Sequence, residues 1–138
     1  MTDRATGLSI GQVAERTGLS VHALRYYERE GVLADTVRRD RGGRRVYGED
    51  DVEWLAMCAR FRETGMPLPA IRRYADLVRQ GPGNEKERLA VLREHQERVS
   101  DRIRALGECL DVIAYKVRVY EDHLDNGTAD RLWSGSEP

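Results

Sequence analysis

The sequence predicts a mainly α-helical protein in two parts: a winged helix-turn-helix domain, then one long helix that pairs with a second copy as an antiparallel coiled coil. Three observations carry this reading. Two short capped helices joined by a glycine turn lie at residues 9–31. An arginine-laden hairpin signal centred on Gly42-Gly43 follows. Apolar residues then recur strictly three and four apart over residues 89–124.

The first helix opens at Ser9, whose hydroxyl can accept from a free backbone N–H, with Gln12 three residues later completing a capping box. Ile10, Val13 and Ala14 fall at helical spacing and make its apolar face. Gly18 is its stop, because glycine takes the left-handed conformation at little cost. Ser20 caps a second helix over residues 21–30, ended by Gly31. Two short helices joined this way form a helix-turn-helix. On the second helix Leu24 and Tyr27 are three apart and face the core, which leaves His22, Arg25, Tyr26 and Arg29 on the outer side. Such a set can hydrogen-bond bases or phosphates if the helix enters a major groove.

Short β-branched runs, Thr36-Val37-Arg38 and Arg45-Val46-Tyr47, flank Gly42-Gly43 and read as a hairpin. Residues 36–45 hold five Arg against one Asp, so the hairpin has the electrostatic footprint of a wing laid on a phosphate backbone. A third helix is expected over residues 49–64, its acidic first turn matching the positive helix end. Val52, Leu55, Cys58 and Phe61 form its buried row, and Gly65 stops it. A fourth helix, over residues 69–80, should bury Ile71, Ala75 and Val78. Gly81-Pro82-Gly83-Asn84 breaks the chain. The expected organisation is therefore a winged helix-turn-helix domain at 1–80, a linker at 81–84, a pairing helix at 85–125 and a flexible tail at 126–138 that carries Trp133.

In the long helix Leu89, Gln96, Ile103, Leu110, Val117 and Leu124 occupy heptad position a. Leu92, Val99, Leu106, Ile113 and Tyr120 occupy position d, and Gln96 is the only aliphatic polar residue in either row. That is a coiled-coil seam. About 40 residues of helix span about 60 Å, too long to fold back along its own small domain, so a partner is needed. An antiparallel register with an index sum of 216 places Ile103 opposite Ile113, Leu110 opposite Leu106, Val117 opposite Val99 and Leu124 opposite Leu92. Gln96 then meets Tyr120, whose hydroxyl can bond an amide. Arg93 meets Glu121, while Arg102 facing Lys116 counts against the register. A parallel pair would set Gln96 against itself, so the antiparallel one is favoured. Its two-fold axis falls near Glu108 and brings Cys109 beside its own mate.

Composition narrows the function classes. Net charge is −1, but residues 1–80 carry 14 Arg, no Lys and 12 acids, while the remainder is net acidic, so the basic charge sits in the N-terminal part. The two cysteines, Cys58 and Cys109, make no CxxC pair, which suggests neither a zinc site nor a disulfide framework. No apolar run approaches a membrane span, and the first residues lack a signal-peptide core, so a cytoplasmic location is expected. His22, His95 and His123 are scattered and form no nucleophile–base set, so no catalytic residue, metal or cofactor is expected.

The stretch SIGQVAERTGLSVHALRYYEREGVL, then GGRRVYGEDDVEWL, then FRETGMPLPAIR, resembles the DNA-binding domain of the MerR family of bacterial regulators over residues 8–77. The resemblance implies a dimer on a pseudo-palindromic operator between promoter elements. It implies that a signal lets the bound dimer distort the spacer so that RNA polymerase can start, which is control through DNA deformation. The family's LRYYE motif falls on Leu24-Arg25-Tyr26-Tyr27-Glu28, so the resemblance makes Arg25 and Tyr26 DNA contacts and Tyr27 a packed residue. His22 lies where the family varies its base-reading residues, Arg45 matches the Arg before the last wing Tyr, Arg44 replaces a position that is often aromatic, and Arg62 matches a basic position near a phosphate. The cysteine patterns of metal-sensing and iron–sulfur members are missing, as is the large C-terminal domain of drug-sensing members. Aldehyde- and thiol-sensing members carry a cysteine near the third helix. Cys58 lies there but in the buried row, so Cys109 is the sharper redox-sensor candidate. A small-molecule or thiol-reactive inducer is the expected signal. The competing reading, a protein-binding adaptor built on a winged helix and coiled coil, leaves the Arg-rich wing unexplained.

Overall fold

A computed structural model describes residues 7–132. The order of elements is α1 (Ile10–Thr17), α2 (Val21–Arg29), β1 (Arg38–Arg39), β2 (Arg45–Val46), α3 (Glu49–Glu63), α4 (Leu68–Arg79) and α5 (Glu85–Asp125), then a one-turn 3₁₀ helix (Ala129–Arg131). Local chemistry accounts for the boundaries. Ser9 Oγ accepts from Gln12 N at 3.2 Å, and Gln12 Oε1 accepts from Ser9 N at 2.8 Å, so the capping box forms as its spacing demands. Gly18 ends α1 at φ 77°, in the left-handed region. Ser20 caps α2 by accepting from Ala23 N at 3.0 Å. Glu49, Asp50 and Asp51 fill the first turn of α3, and Asp51 accepts from Gly48 N at 2.8 Å.

The core lies among the helix-turn-helix, the wing base and α3–α4. Val13, Leu24, Tyr27, Val52, Leu55, Cys58 and Ile71 are buried there, as the sequence pattern requires, and Tyr47 of the wing base joins them. Loop residues Val32, Leu33 and Met66 complete it. Polar contacts hold the end of α2 in place. Trp54 Nε1 donates to Val32 O at 2.7 Å, and Arg72 donates to both Glu30 O and Glu30 Oε2 at 2.6 Å. Leu8 exchanges two backbone hydrogen bonds of 2.8 Å with Tyr47, adding a bridge to the wing.

Three packing expectations differ from the structure. On α4, Leu77 is buried and Val78 only half-buried. The reason is the return of the chain over that side: Asn84 Nδ2 donates to Leu77 O at 2.8 Å, and Arg88 donates to Gly81 O at 2.8 Å. Phe61 is half-buried and sits edge-on to Tyr74 and His95, outside the buried row. The domain boundary also shifts. The N-terminal compact unit runs through His95 and not merely to residue 80. The first turns of α5 belong to it, because Val91 packs on the core and His95 Nε2 lies 2.7 Å from Thr64 Oγ1.

The second unit begins at Gln96. No residue of α5 is buried. Ile103, Leu106, Leu110 and Ile113 are 58–67% exposed, and Val117, Tyr120 and Leu124 are exposed as well. Val99 is half-buried, as is Leu92 in the part of α5 that belongs to the first unit. After α5 the chain turns at Gly127 (φ 70°), Thr128 N donates to His123 O at 2.8 Å, and His123 Nδ1 lies 2.7 Å from Thr128 Oγ1. The first part of the expected flexible tail therefore holds local structure, while Trp133 lies outside the described residues. No described helix is long and apolar enough to cross a membrane.

Candidate nucleic-acid interface

Helix α2 presents one outer face. Leu24 and Tyr27 point inward and are buried, so helical geometry turns His22, Arg25, Tyr26 and Arg29 outward, and all four are exposed. The Arg29 guanidinium lies 5.9 Å from the centre of the Tyr26 ring. That contact stiffens a long side chain without using its N–H donors. The N-terminus of α2 is capped by the short side chain of Ser20.

The wing is a two-stranded antiparallel hairpin pairing Arg38 with Val46 and Arg39 with Arg45. Its tip is organised by Asp40, whose Oδ1 accepts from Gly42 N and Arg44 N at 2.9 Å each. Gly43 takes φ 79°, which a residue with a Cβ adopts only under strain. One carboxylate thus folds the tip, and Arg38, Arg39, Arg41 and Arg44 remain exposed around it. Arg38, Arg39 and Arg41 are visible in sequence only as members of a basic run, since no spacing rule separates them from solvated charge.

Arg45 behaves differently from Arg44. Its Nε donates to Glu28 Oε1 at 2.5 Å, and its side chain is only 24% exposed. The same Glu28 lies 3.9 Å from Arg39 Nη2. Arg45 therefore faces α2 and is held by Glu28, whereas Arg44 stands in open solvent. Glu28 is the residue that sequence reasoning misses. It reads as one more acid on a helix, and its partners are distant in sequence. The hydrogen bond that Arg45 donates to Glu28 pushes the Arg45 pKa up. Arg62 on α3 is exposed, donates to Met66 O at 2.9 Å and lies beside the Tyr27 hydroxyl, whose pKa burial pushes up. Arg16 and Glu49 form a bidentate pair at 2.7 and 2.8 Å that ties α1 to the start of α3.

The cysteines separate clearly. Cys58 is 1% exposed, and burial pushes its thiol up to about 12, so it is a neutral core side chain at ordinary pH. Its sulfur is closed off from solvent by the surrounding core. Cys109 is exposed on α5. Among the described residues no group of His, Cys, Asp and Glu could hold a metal ion.

A helix-turn-helix with an exposed basic recognition face and an arginine wing defines a class: a DNA-binding transcription regulator. Comparison with known proteins agrees. The chain matches the MerR HTH family regulatory protein model over residues 8–77, and the MerR DNA-binding model over residues 52–114. It belongs to the MerR family. An HTH-type transcriptional regulator of Haemophilus influenzae is 34% identical over 110 residues, covering 80% of this chain and 81% of that one. The structure of HiNmlR, a MerR family regulator lacking the sensor domain and bound to promoter DNA, aligns with a TM-score of 0.80 at 30% identity. That alignment covers 92% of this chain and 100% of the other. A MerR family transcriptional regulator from Listeria monocytogenes aligns at TM-score 0.83 and 28% identity, over 89% of this chain and 92% of that one.

Proposed function

We propose that the chain works as an antiparallel homodimer, joined along α5, that binds a pseudo-palindromic operator and controls RNA polymerase by distorting the promoter spacer. The observation that carries the reading is the pairing of two features. The exposed set His22, Arg25, Tyr26, Arg29 and Arg44, with Arg62, supplies base and phosphate donors. The exposed apolar row Ile103, Leu106, Leu110, Ile113, Val117 and Tyr120 supplies a face that water disfavours and a second copy would cover. Leu92 and Val99, both half-buried, continue the same heptad row in sequence. Antiparallel pairing makes the dimer two-fold symmetric, which suits a palindromic site.

Control follows from DNA mechanics. Contacts at two half-sites can stabilise a bent or untwisted spacer whose deformation costs several kcal/mol, and a signal that shifts the dimer changes that balance. The signal enters through the helix pair or its neighbourhood. A thiol-reactive inducer has Cys109 within reach, and a small molecule would bind near the same helix pair. The test is a gel shift on the promoter fragment upstream of the protein's own gene. Specific binding should fall about 10³- to 10⁵-fold between about 50 and 200 mM salt, as for a protein making six to ten phosphate contacts. Arg25→Ala should weaken it about 10- to 100-fold, the scale set by one bidentate hydrogen-bonded pair to a base. Arg25→Ala binding as well as the unmodified protein removes this face from the interface.

A further inference from the structure

We propose that Glu28 is a positioning residue that locks the wing to the recognition helix, and that Arg45 serves this lock and does not contact DNA. The proposal rests on the DNA-binding reading above and deepens it. Four observations converge on it.

The strand pairing places Arg39 directly opposite Arg45. Like charges at opposed positions of an antiparallel pair repel, so this pairing by itself disfavours the hairpin. Glu28 projects from α2 toward both, at 2.5 Å from Arg45 Nε and 3.9 Å from Arg39 Nη2. One carboxylate therefore neutralises the repulsion and joins both wing strands to the helix. The lock is only partly open to water: the Arg45 and Glu28 side chains are 24% and 25% exposed, against 49% for Arg39. Screening is weaker there than on an open surface. Arg39 also donates from Nη1 to Gly43 O at 2.9 Å, which carries the constraint to the wing tip.

The consequence is geometric. The wing is otherwise tied to the domain at its base, through Tyr47, which sits in the core and bridges to Leu8, and through Val37, which packs against the core. A hairpin whose strands are two residues each is soft on its own. With Glu28 in place, the helix donors Arg25 and Arg29 and the wing donors Arg38, Arg41 and Arg44 are presented as one preset surface. Presetting reduces the ordering cost of binding.

The sign of one substitution tests this. Removing an acid from a DNA-facing surface should strengthen binding if charge alone matters. If Glu28 positions the wing, Glu28→Gln instead weakens promoter binding about tenfold, the scale of a broken charge-assisted hydrogen bond. Its plot of log affinity against log salt also becomes shallower, by about 0.9 for each phosphate the displaced wing no longer reaches. A substitution that merely unfolded part of the protein would lower the bound fraction without changing that slope.

Arg45→Gln and the double variant Glu28→Gln/Arg45→Gln complete a cycle. The double variant should bind no worse than either single one, because both remove the same lock. Arg45→Lys guards against misfolding of the uncharged variants. It keeps the charge and gives up the guanidinium geometry, so a lock predicts weakening, while a phosphate contact predicts nearly unchanged binding. Equal or tighter binding by Glu28→Gln overturns the proposal, as do additive losses in the double variant. Absence of specific binding by the unmodified protein would overturn the DNA-binding reading itself, and so the two failures are told apart.

Discussion

Replacing Leu110 by Glu is the sharpest probe of the pairing helix. Leu110 is 63% exposed in the isolated chain and sits two residues from the proposed two-fold axis, facing Leu106 of the other copy. Full burial of a leucine side chain contributes about 1.5–3 kcal/mol, so covering the exposed part contributes about 1–2 kcal/mol per chain. Symmetry enters each substitution twice, giving about 2–4 kcal/mol for the dimer. Two carboxylates held near the axis must also stay hydrated, which adds to this loss. Dissociation should therefore be at least about 30- to 1,000-fold easier. Sedimentation equilibrium across a dilution series reads this directly. Val112→Glu is the matched control, because Val112 is 64% exposed yet lies off the heptad seam. If Leu110→Glu dimerises like the unmodified protein, the seam is wrong. If Val112→Glu dissociates the dimer instead, pairing uses another face of α5.

Three further predictions concern the cysteines. A short bis-maleimide should link two copies through Cys109, which lies one residue from the proposed axis, and should fail to link Leu89→Cys in a Cys109→Ser background. Antiparallel helices hold the two 89 positions about 57 Å apart at 1.5 Å per residue, while parallel helices place them side by side. Efficient linkage at 89 refutes the antiparallel register. Cys58, whose thiol is raised from 9.0 to about 12 by burial, should resist iodoacetamide at pH 8 until denaturant is added. The sign for stability follows from linkage. Below pH 9 the thiol is protonated in both states, and as pH rises from 9 toward 12 only the unfolded chain ionises, so stability falls. Thermal melts of Cys58→Val should show a flatter alkaline decline than the unmodified protein; matching declines exclude this thiol as the cause.

How much of this is legible in the sequence depends on how local each signal is. Ser9 with Gln12, Gly18 and Ser20 act within one helical turn, so their spacing alone marks the ends of α1 and α2. The outward set on α2 follows from the inward pair Leu24 and Tyr27, since helical periodicity leaves little choice. The apolar row on α5 is a periodic property of the chain and needs no tertiary context. Boundaries at α4 and α5 are less legible. Gly81-Pro82-Gly83 breaks a helix and therefore looks like a domain limit, yet the next turns of α5 return to the core through Val91. The burial of Leu77 in place of Val78 depends on Asn84 and Arg88 crossing that side, which no periodicity encodes.

The outward face of α2 and the apolar row of α5 were thus determined by the sequence itself, because both arise from residues a few positions apart on a single helix. The surroundings of the individual wing arginines were decided only by tertiary structure. Arg44 and Arg45 are neighbours of one residue type, and nothing in the chain order distinguishes them. What separates them is Glu28, 17 positions before Arg45, carried by α2 to within 2.5 Å of one guanidinium. Burial made the corresponding decision between the cysteines: Cys58 is enclosed by core side chains from distant segments, and Cys109 is left exposed on a helix that lacks its own cover.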